Sequence, residues 1–561
     1  MKLIKVRKNN SAITLIALVV TIIVLLILAG ISISMLTGKN GILKRAAEAK
    51  EKSIDAQNEE EENLQEMLNQ INSIIPSTDG YLDNKKVNSP KLSRGMIPIK
   101  WDENQSAWVV CDVNDNWYNY DNTKQWANVM LSDGKYKSDT VKIGQVVSES
   151  ELGSMYVWIP RYAYQIVGEK NIKVTFLKGN TNEGADGKIY STNESIDTSK
   201  ESIVHPAFNI GESPINGFWI AKFEASGTDK NGNAVGNGSL ESSEQQFAPD
   251  EKTNVKSLPN KISWRYLSVG DCETWSMDIA SKNKNIYGLS NASSHLTKNS
   301  EWGAVAYLCY SDYGNVPKNN GASHLINGYW YDIYTGQGPQ STESESWYVY
   351  DETGNHSYDK ILGRLSSTTG NVTGVYDMAG GSWEMVAGYL DNGNGNLNNN
   401  GGKYFENGSL KSGYSSIWDA YETSDEEKKE EVEVTLKDGS TTRVRGLLNN
   451  STETLTEPYQ QARYKITKYT FDKMNQHKGI GINEISKIFS FFAPSSIDGN
   501  WNWFKDVNGA LNGSSEYISS WDNDYLFLGY IDRVFIHRGG DGGDGISAGI
   551  MAFVTGWRRI N

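Results

Sequence analysis

Between Lys8 and Lys39 the chain carries no charged residue, and Ser11 to Leu36 reads SAITLIALVVTIIVLLILAGISISML behind a basic MKLIKVRKNN. A hydrocarbon core takes about 20 apolar residues at about 1.5 Å of helical rise each, so the run from Ile13 to Leu36 is long enough to span one. The membrane is therefore the first expected partner, and all that follows should lie on one side of it. Lys2, Lys5, Arg7 and Lys8 precede the run. Basic residues favour the cytoplasmic side, which puts the long remainder outside the cell. A cleavable secretory signal has an apolar core of roughly 7 to 15 residues, shorter than this one. A plain signal anchor and a processed leader remain open.

The boundary favours processing. Ala12 is followed at once by Ile13-Thr14-Leu15-Ile16, which resembles the N-terminus of type IV pilin and pseudopilin precursors, where a basic leader ends in a small residue before a Phe-Thr-Leu-Ile-Glu type sequence. The family's usual Gly is Ala12 here and its usual Glu at the fifth mature position is Ala17. The resemblance implies processing at Ala12 and Ile13, with a prepilin peptidase and other pilin subunits as partners. It divides the N-terminus into a leader (1–12), a transmembrane or pilin helix (13–36) and an amphipathic helical stalk (37–76). Leu64, Met67, Leu68, Ile71, Ile74 and Ile75 recur at spacings of three and four among helix formers, as a stalk requires. Pro76-Ser77-Thr78-Asp79-Gly80 reads as its stop.

Beyond the stalk the core must be built from rings. With 17 Trp, 30 Tyr and 54 Gly against 12 Pro, the composition suits a loop-rich fold whose turns need glycine. A net charge of −14 repels phosphate backbones and excludes nucleic acid as a ligand. The region 77–150 reads as a small β-rich unit, with strands at Gly95–Trp101 and Ala107–Cys111 around the polar turn Asp112–Asn116. That turn lacks the spacing and closing Glu of an EF-hand. Cys111, Cys272 and Cys309 form no Cys-x-x-Cys motif, which leaves little support for zinc.

A second resemblance covers 151–561. Gly217-Phe218-Trp219-Ile220-Ala221-Lys222-Phe223-Glu224, the segment His295–Ala306, Gly374-Val375-Tyr376-Asp377-Met378-Ala379-Gly380-Gly381-Ser382-Trp383-Glu384, and the closing Phe535–Gly540 with Ala548–Phe553 are similar, in order, to landmarks of the formylglycine-generating (sulfatase-modifying factor) family. The resemblance implies a C-type-lectin-like domain with insertions at 391–402 and 421–446, the latter a hairpin about Asp438-Gly439. The expected fold class is α+β: a long N-terminal membrane or pilin-like helix followed by a loop-rich C-type-lectin-like head.

The family's oxidase uses a C-terminal cysteine pair, and no cysteine lies between Ser311 and Asn561. The six histidines are scattered without ligand spacing, and no nucleophile elbow or phosphate loop occurs. The sequence thus predicts a non-enzymatic surface protein that binds a carbohydrate or a cell-surface protein. Candidate ligand-binding residues are Asp541 and Asp544 in a glycine-rich loop and Trp501, Trp503 and Trp521 in Asn- and Gly-rich sequence. The tail Arg538-Gly539-Gly540 with Ala548-Gly549-Ile550 also resembles the variable ends of lectin-fold proteins diversified by retroelements. No cofactor is called for; calcium is the ion the loop aspartates would suit.

Overall fold

The computed structural model describes residues 18–29, 81–315 with short interruptions, 334–338, 356–391, 535–541 and 548–556, and shorter pieces within 405–527. Two compact units emerge, Met1–Ser77 and Thr78–Asn561. In the first, residues 18–29 form helix α1, whose large apolar side chains are exposed. Among the described residues no helix is long and apolar enough to cross a membrane.

This overturns the expected α+β class with its long N-terminal helix. The described residues form mostly β-sheet, and the helices among them are short: α1, α2 (Val269–Asp278), α3 (Asn299–Cys309) and α4 (Ile361–Leu365). Of the apolar run Ile13–Leu36, residues 13–17 and 30–36 lie outside the described residues. Residues 37–76, the expected stalk, lie outside the described residues.

The second unit is organised by two six-stranded sheets. The first contains β1 (Met96–Asp102), β2 (Ala107–Val110), β3 (Asn128–Leu131), β4 (Val146–Val147), β5 (Met155–Pro160) and, after the three-stranded β6 (Tyr162–Gly168), β7 (Asn171–Phe176) and β8 (Ile203–Val204), the strand β9 (Gly217–Ala221). Its order is β9-β5-β3-β1-β2-β4, antiparallel throughout, and it draws strands from both sides of residue 150. The alternation in Met96-Ile97-Pro98-Ile99 places Ile97 and Ile99 in the core, as a half-buried strand requires. Every residue of β3 is buried, so both faces of the sheet are covered there.

Rings with polar handles tie this sheet together. Trp117 Nε1 donates to the carbonyls of Ile99 (3.2 Å) and Asn128 (3.0 Å), and the Tyr120 hydroxyl to that of Trp158 (2.8 Å). A buried ring supplies large apolar area only if its N–H or O–H finds such an acceptor.

The second sheet comprises β10 (Glu384–Asp391), β11 (Thr467–Thr470), β12 (Ile518–Ser519), β13 (Tyr525–Phe527), β14 (Phe535–Gly539) and β15 (Gly549–Gly556), in the order β11-β10-β14-β15-β13-β12. Its β10–β11 and β13–β15 pairs are parallel, so long crossovers close it. A separate hairpin pairs Glu431–Thr435 with Thr441–Arg445.

Helix α3 belongs to the same core cluster as both sheets, and all its residues but Ser300 are buried. Burial on every side explains why its sequence is apolar all round instead of striped. Its first turn is held by Lys298 N donating to Glu301 Oε2 at 2.7 Å. The Tyr162 hydroxyl donates to Ala304 O (2.6 Å), and Trp302 Nε1 to Ile550 O (2.8 Å), linking β6 to α3 and α3 to β15.

Gly303 lies where a Cβ would overlap the carbonyl oxygen of Gly479. Ala in place of Gly raises helix propensity by about 1 kcal/mol, whereas forcing atoms into a packed core costs about 1–3 kcal/mol, more when backbone must move. Gly303→Ala is therefore expected to destabilise the second unit, by about 1–2 kcal/mol net. A lowered urea midpoint with unchanged slope checks it.

Candidate functional site

The landmarks read from the sequence meet at one turn. Asp377, Gly380 and Gly381 adopt φ of 62°, 74° and 71°, and Gly539 and Gly540 follow at 90° and 76°. Asp377 is not glycine, so its left-handed backbone carries strain that its surroundings must hold. They do so through its fully buried carboxylate, which accepts from Gly336 N at Oδ1 (2.8 Å) and Oδ2 (3.0 Å) and from Glu224 N at Oδ2 (3.2 Å).

Glu224 in turn accepts from Ser382 N at Oε1 (2.8 Å) and shares a hydrogen bond at Oε2 with the Ser263 hydroxyl. A Cβ on Gly381 would overlap Glu224 Oε1, which gives that glycine a second reason besides its φ. Gly380 N donates to Gly539 O (3.0 Å), and Glu384 stands opposite Arg538 in the β10–β14 register. The Arg538 guanidinium lies 6.0 Å from the Trp302 ring centroid and 5.4 Å from that of Phe553.

Burial, reinforced by Asp377 and Glu384, pushes Glu224 well above the usual carboxylate range. Glu384, which keeps partial exposure, is raised by burial and by Asp377. Lys222, two residues before Glu224, is fully buried and donates from Nζ to Val372 O and Gly374 O, both at 2.7 Å. Trp108, Tyr376 and Phe223 rings surround that nitrogen at 5.2, 5.2 and 5.7 Å. Burial drives its pKa well below that of an ordinary lysine.

Of the predicted site residues, Asp541 is half-buried just past β14, beyond Gly539 and its bond to the turn. Asp544, Trp501, Trp503 and Trp521 lie outside the described residues, as do Ala12 and Ile13. Among the described residues no group of three or more His, Cys, Asp and Glu could hold a metal ion. Cys111, Cys272 and Cys309 form no disulfide, and burial pushes the Cys111 thiol up to about 12.

A second cluster escaped the sequence. Glu484 accepts from the hydroxyls of Tyr164 (2.6 Å), Thr198 (2.5 Å) and Tyr307 (2.8 Å) and from Gly479 N (2.7 Å). His205 packs tilted or edge-on against Tyr162, Tyr164 and Tyr307 at 5.1–5.3 Å between ring centroids, and burial pushes it down to about 3, so it is neutral at physiological pH. A lone Glu in Gly-Ile-Gly-Ile-Asn-Glu gives no local sign of partners 177 to 320 residues away.

No model of a known protein family matches the chain, and no curated protein sequence matches it.

Proposed function

We propose that the chain is a non-enzymatic, pilin-like cell-surface protein whose head binds carbohydrate in adhesion. The observation that carries this reading is how the charged groups around the Asp377–Ser382 turn are used. Lys222, Glu224 and Asp377 spend their hydrogen bonds on backbone groups and serine hydroxyls. A scaffold fixed this firmly suits display of a variable loop, and the glycine-rich segment from Asp541 leaves directly from it.

Asp541 and Asp544 would accept from sugar hydroxyls, with Trp501, Trp503 and Trp521 as stacking rings. Oxidase chemistry of the formylglycine type needs accessible thiolates, whereas Cys111 and Cys309 are buried and the Cys111 thiol holds its proton. The apolar run Ile13–Leu36 would attach the chain to the membrane, with a prepilin peptidase cutting between Ala12 and Ile13.

Two measurements on one preparation test the proposal. Mass spectrometry of surface material should find a mature N-terminus at Ile13; an intact Met1 sinks the pilin reading. On a glycan array, Asp541→Ala, Asp544→Ala and Trp521→Ala should each weaken binding about tenfold, the order of about 1.4 kcal/mol for a lost hydrogen bond or stacked ring. Equal binding by parent and folded variants moves the site elsewhere, and binding to cell-surface protein with none to glycans replaces the ligand class.

A further inference from the structure

We propose that Glu224 is the proton-dependent latch of the head, clamping the Asp377–Ser382 turn to the loop of Ser263 while it is neutral and releasing it when it ionises.

The geometry carries the inference. Glu224 is 4% exposed, and its carboxyl contacts are neutral groups: Ser382 N at 2.8 Å and the Ser263 hydroxyl. An ionised carboxylate so enclosed needs a cation or several strong donors to offset its lost hydration, and two neutral donors fall short. The neutral acid needs less. It accepts at Oε1 from Ser382 N and completes the hydrogen bond with Ser263 at Oε2.

The charged groups on the elements around it increase this preference. Asp377, on the turn, takes the Glu224 backbone N–H at 3.2 Å and is an acid that raises Glu224 further. Glu384, at the start of β10, adds a second acid. Lys222 on its own segment is committed to the carbonyls of Val372 and Gly374. Arg538 of β14 stands opposite Glu384 in register and over the rings of Trp302 and Phe553.

The consequences for the turn are specific. Asp377 and Gly381 hold positive φ, so the loop relaxes when its clamps let go. Gly380 N is bonded to Gly539 O, so the motion reaches the end of β14 and Asp541 behind it. Burial raises the folded-state pKa of Glu224 above the unfolded value of about 4.3. The stabilisation is therefore complete below that unfolded value and is lost as pH climbs through the folded one. The head should loosen as pH rises, opposite to proteins held by ionised carboxylates.

Hydrogen exchange on the full chain, without ligand, tests the latch independently of any binding role. After correction for intrinsic exchange, peptides covering Ser382 and the Ser263 loop should lose protection with rising pH, by up to about tenfold per pH unit between the unfolded value and the raised folded one, and level off above it. Glu224→Gln presents an acceptor to Ser382 N and a donor to Ser263 at every pH, so its protection should stay flat. Equal pH dependence in parent and Glu224→Gln overturns the proposal. Should Glu224→Gln fold poorly, an infrared titration of the parent decides the matter: a protonated-carboxyl band persisting above the usual carboxylate range upholds the latch, and its loss within that range overturns it.

Discussion

Trp302→Ala is expected to remove about 5 kcal/mol from the stability of the second unit, the largest single effect foreseen. Trp302 is 2% exposed near the start of α3, where its ring fills space between the helix, β14 and β15. Truncating a buried Trp costs about 3–5 kcal/mol through lost transfer energy and the cavity left behind. The lost Nε1 bond to Ile550 O adds about 1 kcal/mol, because that carbonyl is left without its donor. The guanidinium of Arg538 also loses a ring face. Against a typical total of about 5–15 kcal/mol, such a loss leaves the unit marginal or unfolded at 25 °C. Trp302→Phe keeps most of the volume and should cost about 2 kcal/mol. Urea titration of both, followed by near-ultraviolet dichroism, checks the order; a Trp302→Ala protein as stable as the parent would mean that α3 does not organise the core.

Glu484→Ala should cost about 3–5 kcal/mol, from the several donors it strands and not from apolar packing. Tyr164, Thr198 and Tyr307 each point a hydroxyl at this carboxylate, and Gly479 an N–H. Tyr164 and Tyr307 are fully buried, so water cannot readily replace the acceptor. Tyr307 still accepts from Gly481 N at 3.1 Å, which limits the damage on that side. The loss should be local before it is global: amides of Gly479 and Gly481 should exchange much faster while those of β1 and β3 keep their protection. Glu484→Gln, which retains one acceptor oxygen but faces the other hydroxyls with an NH2 group, should fall between. Uniform weakening across the unit would show instead that the cluster is part of the global core.

How much of this was legible in advance depended on the range of the interaction. Alternation of Ile97 and Ile99 about Pro98, and the polar turn at Asp112–Asn116, announced β1 and β2 because strand and turn preferences act over a few residues. The landmark segments His295–Ala306, Phe535–Gly540 and Ala548–Phe553 hold α3, β14 and β15. Both glycines of Met378-Ala379-Gly380-Gly381 have positive φ, as a glycine pair in a turn permits. The clamps on that turn were not foreseen. Glu224 meets Ser382 across 158 residues and Ser263 across 39, and Asp377 meets Gly336 across 41. Lys222 carried a faint signal, a lone cation in the otherwise apolar Phe-Trp-Ile-Ala-Lys-Phe, but nothing nearby named the carbonyls of Val372 and Gly374 as its acceptors.

The N-terminal run is a different case. Hydropathy reports an apolar run over Ile13–Leu36, of which residues 18–29 are described and form helix α1. By itself the sequence determined the acidic surface, the ring-built core, the glycine turns and the sites of several strands, all properties of composition or of neighbours along the chain. Only the tertiary structure decided the predominance of sheet, the two parallel strand pairs, and which acid meets which donor. Those outcomes rest on contacts between segments tens to hundreds of residues apart, and their energy exists only once the chain has folded to bring them together.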